Sequence, residues 1–215
     1  VCESDPQRIN LLNHMASGLQ KWEQPRIVER SFPEALELLP PAERKFELVM
    51  ARNLMISGME RHRLFQNIRA ALKPEGRLIF ADPLPREGMR LSFLLGEAGL
   101  ESALLERVRQ AEEDIYQDPD QRLVNWDTDT VRNLLTGSSF QTDMLEAVSE
   151  SFEIRLGETR IKSWFSTEGG FGSLLAHRLQ PEESVQLEKF AVSRLTGKLV
   201  PWKRTYLLAI GSGLN

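Results

Sequence analysis

Few residues in this chain combine the type and spacing that chemistry requires, and two groups stand apart. Glu3 ends a short apolar start, Val1-Cys2, and is followed by Ser4-Asp5-Pro6. Asp5 suits a helix N-cap, and Pro6 suits the first helical position, where its missing N–H costs nothing. Ala51, Arg52 and Asn53 close the apolar run Phe46-Glu47-Leu48-Val49-Met50. Both groups therefore sit at the carboxyl end of a short strand, the side on which open α/β sheets hold ligands. Taken singly, these residues need no ligand. A lone Glu at a strand end reads as a solvated cap, and Arg52 and Asn53 can satisfy loop carbonyls. Their shared position is what makes them candidates.

Other chemistries lack their parts. His14, His62 and His177 lie far apart with no ligand-type residue at metal spacing, so no metal site is expected. There is no G-x-S-x-G elbow and no Walker A loop. Arg61-His62-Arg63 reads as a charged helix start rather than a catalytic base. Lys198, Trp202, Lys203 and Arg204 form a small basic and aromatic cluster that could meet phosphate. A terminal strand with solvated charges is the preferred reading, and Trp164, Phe165 and Trp202 are read as packing near the sheet end. Gly169, Gly170 and Gly172 follow no strand that could open a nucleotide site, and residues 167–172 look flexible.

The elements that would position these residues follow from pattern. Residues 46–83 read as strand, helix, turn, strand. The helix over 61–72 carries Leu64, Phe65, Ile68, Ala71 and Leu72 at helical spacing. Lys73-Pro74-Glu75-Gly76 then turns the chain, with Gly76 free to take positive φ, and 77–81 form the second strand. Such a βαβ unit has parallel strands and a right-handed crossover. Before it come a helix from Pro6 to about Gly18, a strand over 25–32, and a short helix over 33–39 closed by Pro40-Pro41. After it come helices over 88–116 and 127–137 and a half-buried strand over 152–156. That strand opens a pair turning at Gly157. A helix over 181–197 and a strand over 203–211 complete the chain.

With 215 residues, the chain is one large domain or a domain with an appendage. A formal net charge of −4 argues against wrapping nucleic acid. The single Cys2 excludes an internal disulfide and fits a reducing, cytoplasmic setting. No apolar run reaches the roughly 20 residues that span a bilayer. The first residue is Val, which points to a piece of a longer polypeptide.

The wording of residues 46–83 resembles class I S-adenosylmethionine-dependent methyltransferases. It matches their fourth strand in Phe46-Glu47-Leu48-Val49 and Arg52-Asn53-Leu54, and their helix-to-strand-five passage in Leu72-Lys73-Pro74-Glu75-Gly76-Arg77-Leu78. The resemblance implies a Rossmann-like α/β sheet, mostly parallel with an antiparallel last strand, over a single domain 1–215. It implies insertions at 86–122 and 157–200 that position an unknown methyl acceptor. S-adenosylmethionine is the implied cofactor. Glu3 would accept from its ribose, Ser31 and Phe32 would stand near its adenine, and Ala51, Arg52 and Asn53 would line its crevice. Ser31 departs from the Asp that the family often has there. The family's first strand and glycine-rich turn have no counterpart, so they are expected upstream of Val1, together with most of strand two. Strand four is then an exposed apolar edge, open to pairing with a second copy.

A second resemblance covers the whole chain, and residues 123–211 above all, with Trp126-Asp127-Thr128-Asp129-Thr130-Val131 and Val200-Pro201-Trp202-Lys203-Arg204-Thr205-Tyr206-Leu207. This wording is similar to a methyltransferase-like extension on bacterial replication-associated recombination ATPases of the AAA type. It implies a non-catalytic module for partner binding or dimerisation as the alternative function.

Overall fold

Caps set several helix starts in the computed structural model, which describes residues 1–3, 5–38, 45–56 and 59–214. Helix α1 (Pro6–Ser17) begins as its sequence predicts: the Asp5 carboxylate accepts from Gln7 N–H at 2.9 Å. Helix α2 (Phe32–Leu38) follows, and the Leu39-Pro40-Pro41 closure lies outside the described residues. Strand β1 (Phe46–Arg52), helix α3 (Arg61–Ala71) and strand β2 (Leu72–Pro83) form the βαβ unit, and the two strands pair in parallel with Ala51 beside Phe80. Glu60 caps α3, accepting from His62 and Arg63 N–H at 2.9 and 2.8 Å. These bonds hold its carboxyl below the usual range.

The expected turn at residues 73–76 is absent. Leu72 is already extended, with ψ at 150°, and residues 73–76 are taken into β2 as a bulge: Phe46 pairs with Leu72 and Leu48 with Arg77. Gly76 does not take positive φ. Its lack of a side chain serves close approach instead: a Cβ there would lie 2.8 Å from Phe46 O and 3.0 Å from the Leu72 side chain.

After a 3₁₀ turn (Pro85–Glu87) come α4 (Leu91–Glu97) and α5 (Ser102–Gln117), separated at Gly99, whose φ is +84°. Helix α6 (Thr128–Gly137) is capped by Asp127, which accepts from Thr130 N–H at 2.8 Å. Strand β3 (Phe140–Arg155) is longer than the alternation at 152–156 suggested. Helices α7 (Glu158–Ser163), α8 (Gly170–Ala176) and α9 (Pro181–Leu195) lead to strand β4 (Leu199–Gly213).

Three expectations change here. The strand pair turning at Gly157 is instead α7, because Ile161 and Phe165 are buried at helical spacing and Glu158 pairs with Lys162 at 2.7 Å. Residues 167–172, expected to be flexible, include the start of α8, and Gly169 and Gly170 take positive φ on entering it. The strand over 25–32 shrinks to one parallel bridge between Cys2 and Val28. Pro25 has no N–H to give a ladder, and Arg30 N–H folds back onto Val28 O at 2.9 Å.

The sheet order is β1-β2-β4-β3. β1, β2 and β3 run one way, and β4 runs against them between β2 and β3. Phe65, Phe80, Trp126, Leu135 and Phe140 fill a core between the sheet, α3 and α6. A second core joins α4 and α5 to α7, α8 and α9, through Leu95, Val108, Ile115, Ile161 and Leu187. The two stretches expected as separate insertions thus bury their apolar faces on each other. Among the described residues β1 is one edge of the sheet and β3 the other, and on β1 Leu48 and Met50 are exposed at 45% and 72%.

Candidate functional site

A cavity of about 450 Å³ opens beyond the carboxyl ends of β1 and β2. Arg52 and Asn53 form one side, Pro83 and Leu84 the floor, and residues 202–206 of β4 another wall. Helices α4, α5, α7 and α8 roof it through Leu91, Tyr116, Arg160 and Phe171. The antiparallel run of β4 brings its first half here, past the end of β2. Leu84 N–H donates to Thr205 O at 2.8 Å and Met89 N–H to Lys203 O at 3.0 Å.

Asn53 holds a left-handed backbone, φ +60°, which Asn tolerates better than most residues. The turn is tied down by Asp82, which is fully buried at the end of β2. Its Oδ2 accepts from Met55 N–H at 2.7 Å. Burial pushes the Asp82 carboxyl up from its usual range, against the opposing pull of the Met55, Leu54 and Asn53 amides and the Arg52 charge. Asp82 was not among the sequence candidates, because nothing local marks an Asp that reaches back 27 residues.

Glu112 on α5 is buried and accepts from Leu91 and Ser92 N–H at 2.8 and 3.0 Å. It thereby caps α4 and fixes the two roof helices together. The Arg90 guanidinium lies 3.7 Å from the centre of the Tyr116 ring. Burial raises the Tyr116 hydroxyl to about 12, with the Arg90 charge opposing, so it is neutral at ordinary pH.

Aromatic faces and cations dominate the rest of the lining. Trp164 and Trp202 stack with centroids 6.0 Å apart and planes 20° apart. The Arg160 guanidinium stands 4.7 Å over Trp202. Arg204 lies 5.2 Å from Phe152 and 5.7 Å from Tyr206. Trp164 and Trp202, read from sequence as packing, do pack, and they also line the cavity. Lys203 and Arg204, read as merely solvated, stand in its wall. The Val200–Arg204 wording held that signal, but a linear string does not say which side of a strand faces a cavity.

Of the sequence candidates, Arg52 and Asn53 reach the cavity. Ala51 lies half-buried one residue earlier, and Phe32 packs against the sheet core. Glu3 and Ser31 do not line the cavity. One Glu3 oxygen accepts from Asp5 N–H at 3.0 Å and the other faces Arg8 at 3.6 Å, at the start of α1. Ser31 donates its N–H and its hydroxyl to Glu34 Oε2, at 3.0 and 2.6 Å, at the start of α2. Among the described residues, no group of three or more His, Cys, Asp or Glu could hold a metal ion, and no helix is long and apolar enough to cross a membrane.

No protein-family model matches the chain, and no curated protein matches its sequence. Solved structures do. A candidate methyltransferase from Bacillus halodurans C-125 is 13% identical, with 98% of this chain and 80% of that one covered at a TM-score of 0.52. The YcgJ protein from Bacillus subtilis is 11% identical, with 100% and 81% covered at 0.50. Neither bears on the resemblance to the ATPase extension. At such identities the likeness speaks for architecture alone: this chain has a Rossmann-like methyltransferase fold.

Proposed function

We propose that this chain is a methyltransferase domain that moves a methyl group from S-adenosylmethionine to a small acceptor. The observation that carries this reading is the cavity at the carboxyl ends of β1 and β2, with Arg52 and Asn53 on one side and the helical roof on the other. That is where α/β sheets of this kind bind ligands.

The residues present fit the cofactor in chemistry. Glu3 is an acceptor-only carboxylate at a strand end, suited to a ribose diol. Ala51 is small, and the left-handed Asn53 turn exposes backbone beside the cavity. Phe32 and Ser31 would flank the adenine, Ser31 through its hydroxyl. When bound, S-adenosylmethionine supplies an electrophilic methyl on a sulfonium sulfur. The protein's own part is positioning: Asp82 fixes the turn beside the crevice, Glu112 fixes the roof, and the aromatic walls exclude water from the acceptor. A cytoplasmic setting suits the single Cys2.

Calorimetric titration with S-adenosylhomocysteine tests this. Saturable binding is expected, weakened roughly tenfold by Glu3→Ala, the size of one lost charge-assisted hydrogen bond. Absence of binding, both to this chain and to a version extended at its N-terminus, would overturn the proposal.

A further inference from the structure

We infer that the cavity takes a flat organic anion, an aromatic body bearing a carboxylate or phosphate group, and that this is the class of the methyl acceptor. The identification as acceptor rests on the methyltransferase reading; the anion site itself does not.

Charge is the first reason. Arg52, Arg160, Lys203 and Arg204 all line the cavity. None forms an ion pair among the described residues, although Glu150 stands opposite Arg204 in the strand register and the Arg52 charge reaches the buried Asp82. The one carboxylate in the lining, Glu112, has both oxygens engaged by the Leu91 and Ser92 amides. A cationic ligand would find four like charges and no available counter-ion. An anion would find guanidinium forks that match carboxylate or phosphate oxygens.

Shape is the second reason. The stacked Trp164 and Trp202 rings and the tilted Tyr116–Phe171 pair, 5.9 Å apart, give the cavity aromatic faces. A volume of about 450 Å³ suits a small molecule rather than a polymer. Arg160 stands 4.7 Å over the Trp202 ring, so the lining holds a cation and aromatic surface side by side, the pairing that a charged aromatic ligand needs.

The test compares three probes of one shape in calorimetry: 2-naphthoate, 2-naphthyl phosphate and the neutral 2-naphthamide. At low salt at least one anion is expected to bind about tenfold more tightly than the amide, and the preferred anion identifies the acidic group. Arg160→Gln and, separately, Lys203→Gln should each weaken that anion about fivefold or more while leaving the amide unchanged. Equal affinity for amide and anions, or no binding of any probe, overturns the inference. A parallel titration with S-adenosylhomocysteine keeps the two readings apart. If it binds and the anions do not, the methyltransferase reading stands and this one falls. If the anions bind and it does not, the anion site stands and its role as an acceptor site falls.

Discussion

Asp82 Oδ2 accepts a hydrogen bond from Met55 N–H at 2.7 Å, joining the end of β2 to the turn that follows β1. Both groups are buried, so the bond has no water to replace it. Asp82→Ala should cost about 1–3 kcal/mol by leaving the Met55 amide unpaired, measured by urea denaturation. Asp82→Asn keeps an acceptor and drops the charge. Burial raises the folded carboxyl above its ordinary 3.8, so the unfolded chain ionises first as pH rises. Native stability therefore falls from the unfolded value through the raised folded one, and the Asn variant lacks that fall. The variant's stability relative to the native chain should climb as pH rises from the unfolded value, 3.8, through the raised folded one; a difference independent of pH would refute this.

Tyr116 carries the second titration. With Tyr206→Phe as background, absorbance should show the remaining tyrosine ionising at about 12. The folded hydroxyl keeps its proton above the ordinary 10.0, so stability is lost as pH rises from 10.0 towards 12. Arg90→Ala removes the opposing cation and should move the midpoint higher still; a lower midpoint would count against the stacked contact.

Asp127 starts α6, and its bonds to the Thr130 N–H and hydroxyl hold its carboxyl below the usual range. Asp127→Ala should cost about 1 kcal/mol at neutral pH. The lowered folded value means this contribution is present above the unfolded value and is lost as pH falls through the folded one. Melting temperatures of the two proteins should therefore converge in acid.

Two glycines separate packing from mere flexibility. A Cβ at Gly172 would lie 2.6 Å from Ser166 O and 2.9 Å from Trp164 O, both backbone atoms that cannot step aside. Gly172→Ala should cost about 1–3 kcal/mol and disturb the roof near Phe171. Gly157, at φ −87°, has nothing within 4 Å of its Cβ position. Gly157→Ala should be within about 0.5 kcal/mol of neutral. Equal effects in denaturant titrations would contradict the packing argument.

The β1 edge offers unpaired backbone beside the exposed Leu48 and Met50. Edges of this kind pair with other strands, and an edge Lys discourages it. Met50→Lys should lower self-association in sedimentation velocity without lowering the melting temperature, since Met50 is solvent-facing. An unchanged sedimentation profile from a self-associating native chain would exclude this edge as the contact.

Local chemistry determined much of this protein. The Asp5-Pro6 start, the helices over 61–72 and 127–137, and the β1–α3–β2 unit could be read directly, because caps and periodicity act within a few residues. The same wording placed Arg52 and Asn53 at the carboxyl end of a strand, and they line the cavity. Tertiary structure decided the rest. The reversed β4 carries Trp202 and Arg204 past the end of β2, and only there do they meet Tyr116 of α5 and Arg160 and Trp164 at α7. Which face of a strand meets a cavity, and which amide a buried Asp82 satisfies, depend on contacts between residues far apart in sequence. Ile161 became helical because burial against α9 outweighed the local strand-like pattern after Gly157.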